Sequence, residues 1–158
     1  MAGVLHGRAR AWLLAALVLG AVLGLDQLTK HLVETSIDRG DERRLLPGIQ
    51  LVDSRNRGVA FGFLPGHQTL VEILIGVALL FLLAYFARNS AKSLIWLPTG
   101  MLIGGALGNI IDRARHGSVT DFIKLPLGWP PFNLADAAIT LGILVLFIVI
   151  EPVRRPRT

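Results

Sequence analysis

The chain has 158 residues, 53% of them hydrophobic and 17% charged, with a mean hydropathy of +0.59. That length allows one domain, and an apolar excess gathered into long runs excludes an ordinary water-soluble globule in favour of an integral membrane protein. The formal charge of +5 does not signal nucleic acid, because the basic residues flank apolar runs, and the absence of cysteine excludes disulfides, thiolate nucleophiles and Cys-based metal sites.

Arg8 and Arg10 precede an apolar run from Ala11 to Leu25. A basic start and an apolar centre also describe a signal peptide, but no small-x-small cleavage site closes this one. The run continues through Asp26-Gln27-Leu28-Thr29-Lys30 to Val33, so it reads as a retained first transmembrane helix over about 11–33. Asp26 and Lys30 lie one helical turn apart with the acid first. This is the favoured order for an ion pair, and the Lys stem can carry its charge outward.

From Glu34 to Thr69 the chain turns polar, punctuated by Gly40, Pro47 and Gly48. Ile49–Val52 and Val59–Phe61 read as short strands of a small sheet lying on the membrane surface. A second span covers about 70–87 and carries one acid, Glu72, near its start. A tight basic loop, Arg88 to Ser93, leads to a third span over about 94–111. Gly100, Gly104 and Gly108 fall on one face of that span, where another helix can approach closely; packing is their expected role. A fourth span over about 134–150 ends in a basic tail with Arg154, Arg155 and Arg157. Basic residues are densest at the termini and in the Arg88–Lys92 loop, which places both termini in the cytoplasm and the two longer connections outside.

The stretch Gly117–Ala137 delivers two carboxylates, Asp121 and Asp136, to one membrane margin. Taken alone, Asp136 is a helix-start acid at the third position after the N-cap Asn133. Asp121 alone is a loop acid with Arg113, Arg115 or Lys124 as possible partners. The Pro- and Gly-rich segment between them forms a hairpin-like excursion that returns the chain to the same margin. Acids brought together there can share a proton and activate water. Asn109 and Arg113 share a helix face at the outer end of the third span. An Arg beside two carboxylates would hold one ionised, whereas a bland reading makes Arg113 a dipole-compensating residue with Asp112 as its partner. Scattered histidines and the lack of a GxSxG sequence leave zinc and serine-hydrolase chemistry without support. A small proton-coupled transporter is the main rival, and a non-enzymatic scaffold the next.

DQLTK at 26–30, NRGVAFGFL at 56–64, GNIIDR at 108–113, GSVTDF at 117–122 and FNLADAAITLG at 132–142 together resemble the lipoprotein signal peptidases (signal peptidase II). The resemblance covers nearly the whole chain in order. It implies a mainly α membrane protein with four transmembrane helices and an extramembrane β-sheet cradle over about 40–64, all in one domain spanning 1–158. The implied activity is that of a bacterial inner-membrane aspartyl protease, which removes the signal peptide from diacylglyceryl-modified prolipoproteins. Carried over by motif, Asp121 and Asp136 are the catalytic pair. Asn56, Asn109, Arg113 and Asn133 match polar positions lining the family's cleft, and Asp26 and Lys30 match its first-helix motif. No metal or cofactor is implied. The expected setting is a monomer among membrane lipids, acting near the periplasmic leaflet. Arg57 and Gly62 stand where the family commonly has small polar residues, and the Asp121–Asp136 connection is short. Around Phe61 and Phe63, contact with lipid or with the signal helix competes with interfacial anchoring.

Overall fold

The fold is taken from a computed structural model that describes residues 2–58, 68–92 and 94–150. The strand expected at Val59–Phe61, Gly62, Phe63, the side chain of Glu72 and the basic tail lie outside the described residues. Four helices carry most of the chain: α1 (Ala2–Ser36), α2 (Gln68–Asn89), α3 (Trp96–His116) and α4 (Leu134–Ile150). Three strands form one antiparallel sheet in the order β1 (Glu42–Leu46), β2 (Ile49–Asn56) and β3 (Val119–Lys124).

The helices run up and down, and side-chain contacts fix which ends meet. At one end Arg8 of α1 donates to the Ala87 carbonyl (2.8 Å) and to Ser90 Oγ (3.2 Å) beyond α2. Trp12 and Phe86 meet edge to face at 4.7 Å. Ala11, Ala15, Phe86 and Ile95 form a buried cluster there, with Trp96 and Val149 packed against it. At the opposite end Val33 of α1 and Ile37 just beyond it pack on Phe122 of β3, with Leu134 of α4 alongside. The sheet therefore caps the end where α1 and α3 finish and α4 begins.

α3 holds the bundle together because it has so little side chain facing α1. A Cβ on Gly100 would lie 2.6 Å from the Ala15 carbonyl oxygen, one on Gly104 2.9 Å from that of Leu19, and one on Gly108 2.5 Å from Asp26 Oδ2. The glycine face expected from the sequence is thus a backbone-to-backbone seam with α1. Gly105 serves the same purpose toward α4, where a Cβ would sit 2.6 Å from the Ala135 carbonyl oxygen.

The outward faces are strongly apolar. Leu17, Leu25, Leu28, Leu32, Ile73, Leu80, Phe81, Leu144, Phe147 and Ile148 are all more than half exposed. A contiguous apolar exterior of this kind has no place in water and fits hydrocarbon contact. Among the described residues, α1 is the one helix long and apolar enough to cross a bilayer by length and composition, from His6 to Ser36; Ile73–Asn89 and Leu134–Ile150 are shorter apolar helices.

Two boundaries differ from the sequence reading. Leu94 takes a left-handed conformation (φ 62°), so the third helix starts at Trp96 and accommodates Pro98 in its first turn. It then runs on to His116, where Gly117 closes it at φ 67° with its N–H on the Arg113 carbonyl (2.9 Å). The sheet's third strand also comes from Val119–Lys124, outside the expected 40–64 cradle.

Candidate active site

β3 leaves α3 after only Gly117 and Ser118, which forces it to run beside β2. The register pairs Ser54 with Asp121, Arg55 with Thr120 and Asn56 with Val119. Side chains alternate along a strand, so Asp121 shares a face with Asn56, while Thr120 and Arg55 point the other way. The chain then turns back: Phe132 N–H donates to the Ile123 carbonyl (3.1 Å), and Ile123 N–H to the Phe132 carbonyl (2.8 Å). This is the expected hairpin-like excursion, and it sets Asn133 and the start of α4 next to Asp121.

Asn133 caps α4 in the reciprocal manner of a capping box, with Asp in the place of Glu. Its Oδ1 accepts the Asp136 N–H at 2.9 Å, and its own N–H donates to Asp136 Oδ2 at 3.3 Å. With Oδ1 committed, the amide NH2 must point the other way, where it donates to Asp121 Oδ1 at 2.6 Å. One fully buried asparagine therefore touches both carboxylates.

Asn109 of α3 supports the second carboxylate by the same logic. Its Oδ1 accepts from Lys30 Nζ (3.0 Å), a group that can only donate, so its NH2 is turned onto Asp136 Oδ1 (2.8 Å). Lys30 is itself buried, 3% exposed, and pairs with Asp26 (2.8 Å) and Asp112 (2.9 Å). Asp26 spends its other oxygen on the Ala135 N–H (2.9 Å), an otherwise unpaired donor in the first turn of α4. Asp112 accepts from Gln27 Nε2 (2.9 Å) and from the Thr120 N–H (3.1 Å). A single network thus ties α1, α3, α4 and β3 together beneath the two acids. Asn56 Nδ2 completes the surroundings by donating to Asp121 Oδ2 at 3.0 Å.

Asp121 is 2% exposed. Burial, reinforced by the nearby charge of Asp136, pushes its pKa up to about 7; the amide donors Asn56 and Asn133 and the charge of Lys30 pull the other way without cancelling it. A carboxyl that keeps its proton near neutrality beside a second carboxyl is the arrangement that acid–base work on water requires.

Seven of the eight expected site residues converge here: Asp121, Asp136, Asn56, Asn109, Asn133, Asp26 and Lys30. Arg113 does not join them. Its Nη2 donates to the Gly58 carbonyl at 3.0 Å, bracing the chain just past β2. Nor is Asp112 its partner, because Asp112 turns inward to Lys30; the cation that acts on the acids is Lys30. None of the basic partners considered for Asp121 reaches it: Arg115 donates to Gln27 Oε1 (3.4 Å) and Lys124 pairs with Glu42. Gln27 and Thr120 are supporting residues that sequence reasoning left out, and Asp112 is one it considers only beside Arg113. Only the run of β-branched and aromatic residues at Val119–Ile123 hinted at the strand that places Thr120.

Residues 18–151 match the profile of the Signal peptidase (SPase) II family. The lipoprotein signal peptidase of Syntrophomonas wolfei is 42% identical over 130 residues, covering 82% of this chain and 87% of the relative. That of Paraburkholderia phymatum is 37% identical over 158 residues, covering 96% and 92%. A bacterial membrane enzyme solved by the in meso method at 2.3 Å superposes with a TM-score of 0.83 at 29% identity, covering 91% of this chain and 93% of its own. A second, at 1.9 Å, gives 0.75 at 31% identity, with 88% and 93% covered. Sequence and fold agree over nearly the same residues, and the chain belongs to the signal peptidase II family.

Proposed function

We propose that this protein is an aspartyl endopeptidase of the bacterial inner membrane that cleaves the signal peptide from diacylglyceryl-modified prolipoproteins, with Asp121 and Asp136 as its catalytic pair. The observation that carries this reading is Asn133, which bonds Asp121 through its side chain and Asp136 through its backbone, and so holds the two carboxyl groups to one small space. The pair shares one proton. At rest we assign it to Asp121; Asp136, in the first turn of α4 with the positive end of the helix dipole behind it, is left as the base. Asp136 takes a proton from a water molecule between the two groups as that water attacks the scissile carbonyl carbon. Asp121 donates a hydrogen bond to the developing oxyanion. Collapse of the tetrahedral intermediate breaks the C–N bond, and the proton held by Asp136 passes to the leaving amine. Asn56, Asn109 and Asn133 hold the carboxyl oxygens in place, Lys30 and Asp26 fix Asn109 and the α4 terminus, and Arg113 braces the rim at Gly58.

The up-and-down helix order and the apolar exterior support four spans in a single domain, with both termini in the cytoplasm and the sheet at the periplasmic face. A site at that margin suits a lipid-bearing substrate, whose acyl chains stay in the bilayer while the peptide enters as to a monomeric enzyme. The acids gather at one end of the bundle instead of lining a path through it, so a transporter role has no support. The test is incubation of the purified protein with a lipid-modified prolipoprotein peptide. Wild type cleaves it at the residue before the modified cysteine, and Asp121→Asn and Asp136→Asn, folded by thermal melt, lose at least about 10²-fold in rate. Cleavage by either variant at the wild-type rate overturns the assignment.

A further inference from the structure

The sheet has two faces, and the one turned away from Asp121 lines a cavity of about 570 Å³. Arg55 and Arg57 from β2 and just past it, His31 and Glu34 from the end of α1, Arg39 from the turn that follows, and His116 from the end of α3 surround it. The charges within reach do not balance. Glu34 is engaged by Arg55 (3.0 Å) and by the Thr120 hydroxyl (2.6 Å), and Asp53 beside the cavity is shared between Arg55 (3.2 Å) and Arg39 (3.9 Å). Two carboxylates thus face three guanidinium groups and two imidazoles, and no described residue pairs with Arg57. Arg55 Nε and Asp53 Oδ1, both shut off from water, face each other at 3.2 Å, so Arg55 is already spent on carboxylates. The cavity is one anion short. Its size falls within the range of small-molecule sites.

What lies below the cavity selects the anion. Leu25, Leu28 and Leu32 follow one another along one face of α1, each more than half exposed, and that face rises directly to Thr35 at the cavity. A free phosphate would use the basic rim and ignore this ladder, whereas a lipid would use both. We infer that the cavity binds the phosphate headgroup of an anionic glycerophospholipid, with its acyl chains lying along Leu25, Leu28 and Leu32. The bidentate reach of guanidinium groups suits a phosphodiester, and Arg57, with no partner among the described residues, is the group that makes the contact. The inference rests on the reading of α1 as a span with its far end at the outer leaflet.

Native mass spectrometry of the full chain, released from detergent and titrated with phosphatidylglycerol or phosphatidylcholine, tests it. Wild type retains phosphatidylglycerol more tightly than phosphatidylcholine, Arg57→Ser weakens retention about fivefold, and Arg57→Lys keeps most of it. Inorganic phosphate in millimolar excess leaves the bound lipid in place. Equal retention of the two lipids, no change in Arg57→Ser, or displacement by phosphate overturns the inference. Peptide cleavage by the same preparations is scored separately: a chain that binds the lipid but does not cleave leaves this site standing and removes the peptidase reading.

Discussion

Lys30→Met separates the two tasks that the buried lysine performs, holding charge and orienting an amide. Its ammonium lies 2.8 Å from Asp26, 2.9 Å from Asp112 and 3.0 Å from Asn109 Oδ1, and only 3% of the residue is exposed. Methionine fills nearly the same volume without the charge, so two buried carboxylates lose their common cation. Stranding one member of a buried pair costs about 3–5 kcal/mol. The low end applies here, because Asp26 keeps the Ala135 N–H and Asp112 keeps Gln27 and the Thr120 N–H. A loss of about 3 kcal/mol lowers Tm by roughly 6–12 °C for a chain of this size, which leaves a folded protein at 25 °C. The activity loss has a different origin. Without Lys30, Asn109 Oδ1 keeps only the longer bond from Asn133 Nδ2 (3.3 Å), the hold on the amide loosens, and the 2.8 Å hydrogen bond to Asp136 weakens. A carboxylate displaced by about an ångström loses on the order of 10²-fold in kcat. Adding Asp112→Asn to Lys30→Met removes one stranded charge and restores part of Tm, but it does nothing for Asn109, so kcat stays low. Thermal melts in detergent and the kinetics of prolipoprotein peptide cleavage measure the two quantities. A double variant with wild-type kcat would refute the orienting role, and an unchanged Tm in Lys30→Met would refute the buried-charge account.

Cleavage falls as pH rises through about 7, because Asp121, neutral below that value, ionises there and can no longer donate to the oxyanion. The same raised pKa favours the folded state below the unfolded value of 3.8, and this contribution is lost as pH rises toward 7; a Tm that does not decline from Asp121 over this window, judged against Asp121→Asn, contradicts it. Gly108→Ala puts a methyl 2.5 Å from Asp26 Oδ2, which is held from two sides, and costs about 1–3 kcal/mol, whereas Gly20→Ala, with nothing within 4 Å, leaves Tm level or slightly raised. Thr120→Val removes the hydroxyl between Glu34 and Arg55 and lowers stability by about 1–2 kcal/mol, with kcat close to wild type because Asp121 lies on the other face of the strand; a large fall in kcat would show the two faces to be coupled.

What could be read from the sequence is what local spacing determines. The Asp26–Lys30 pair, the glycine seam of α3 and the Asn133 cap over Asp136 are each set by residues three or four apart on one helix. The hairpin return from Asp121 to Asp136 was signalled by proline and glycine, which leave the backbone few alternatives. What could not be read depends on register between distant segments. Asp112 continues the four-residue glycine series of α3, but spacing alone cannot say which helix packs on that face. The answer comes from Gly108, whose missing side chain lets α1 approach until Lys30 meets Asp112. Once that contact forms, Arg113 must point outward, where the end of β2 offers it the Gly58 carbonyl. The third strand escapes a local reading for a related reason. Val119–Lys124 has suitable residues, but a strand needs a partner, and its partner lies about sixty-five residues earlier in the chain. Asp121 faces Asp136 only because β3 pairs in this register; a slip of one residue would turn Thr120 to the active face and Asp121 to the cavity with the arginines. The bulge between Leu51 and Ser54 and the amide donors of Asn56 and Asn133 on Asp121 make that slip costly, so the register of one short strand positions the catalytic pair and the basic cavity behind it together.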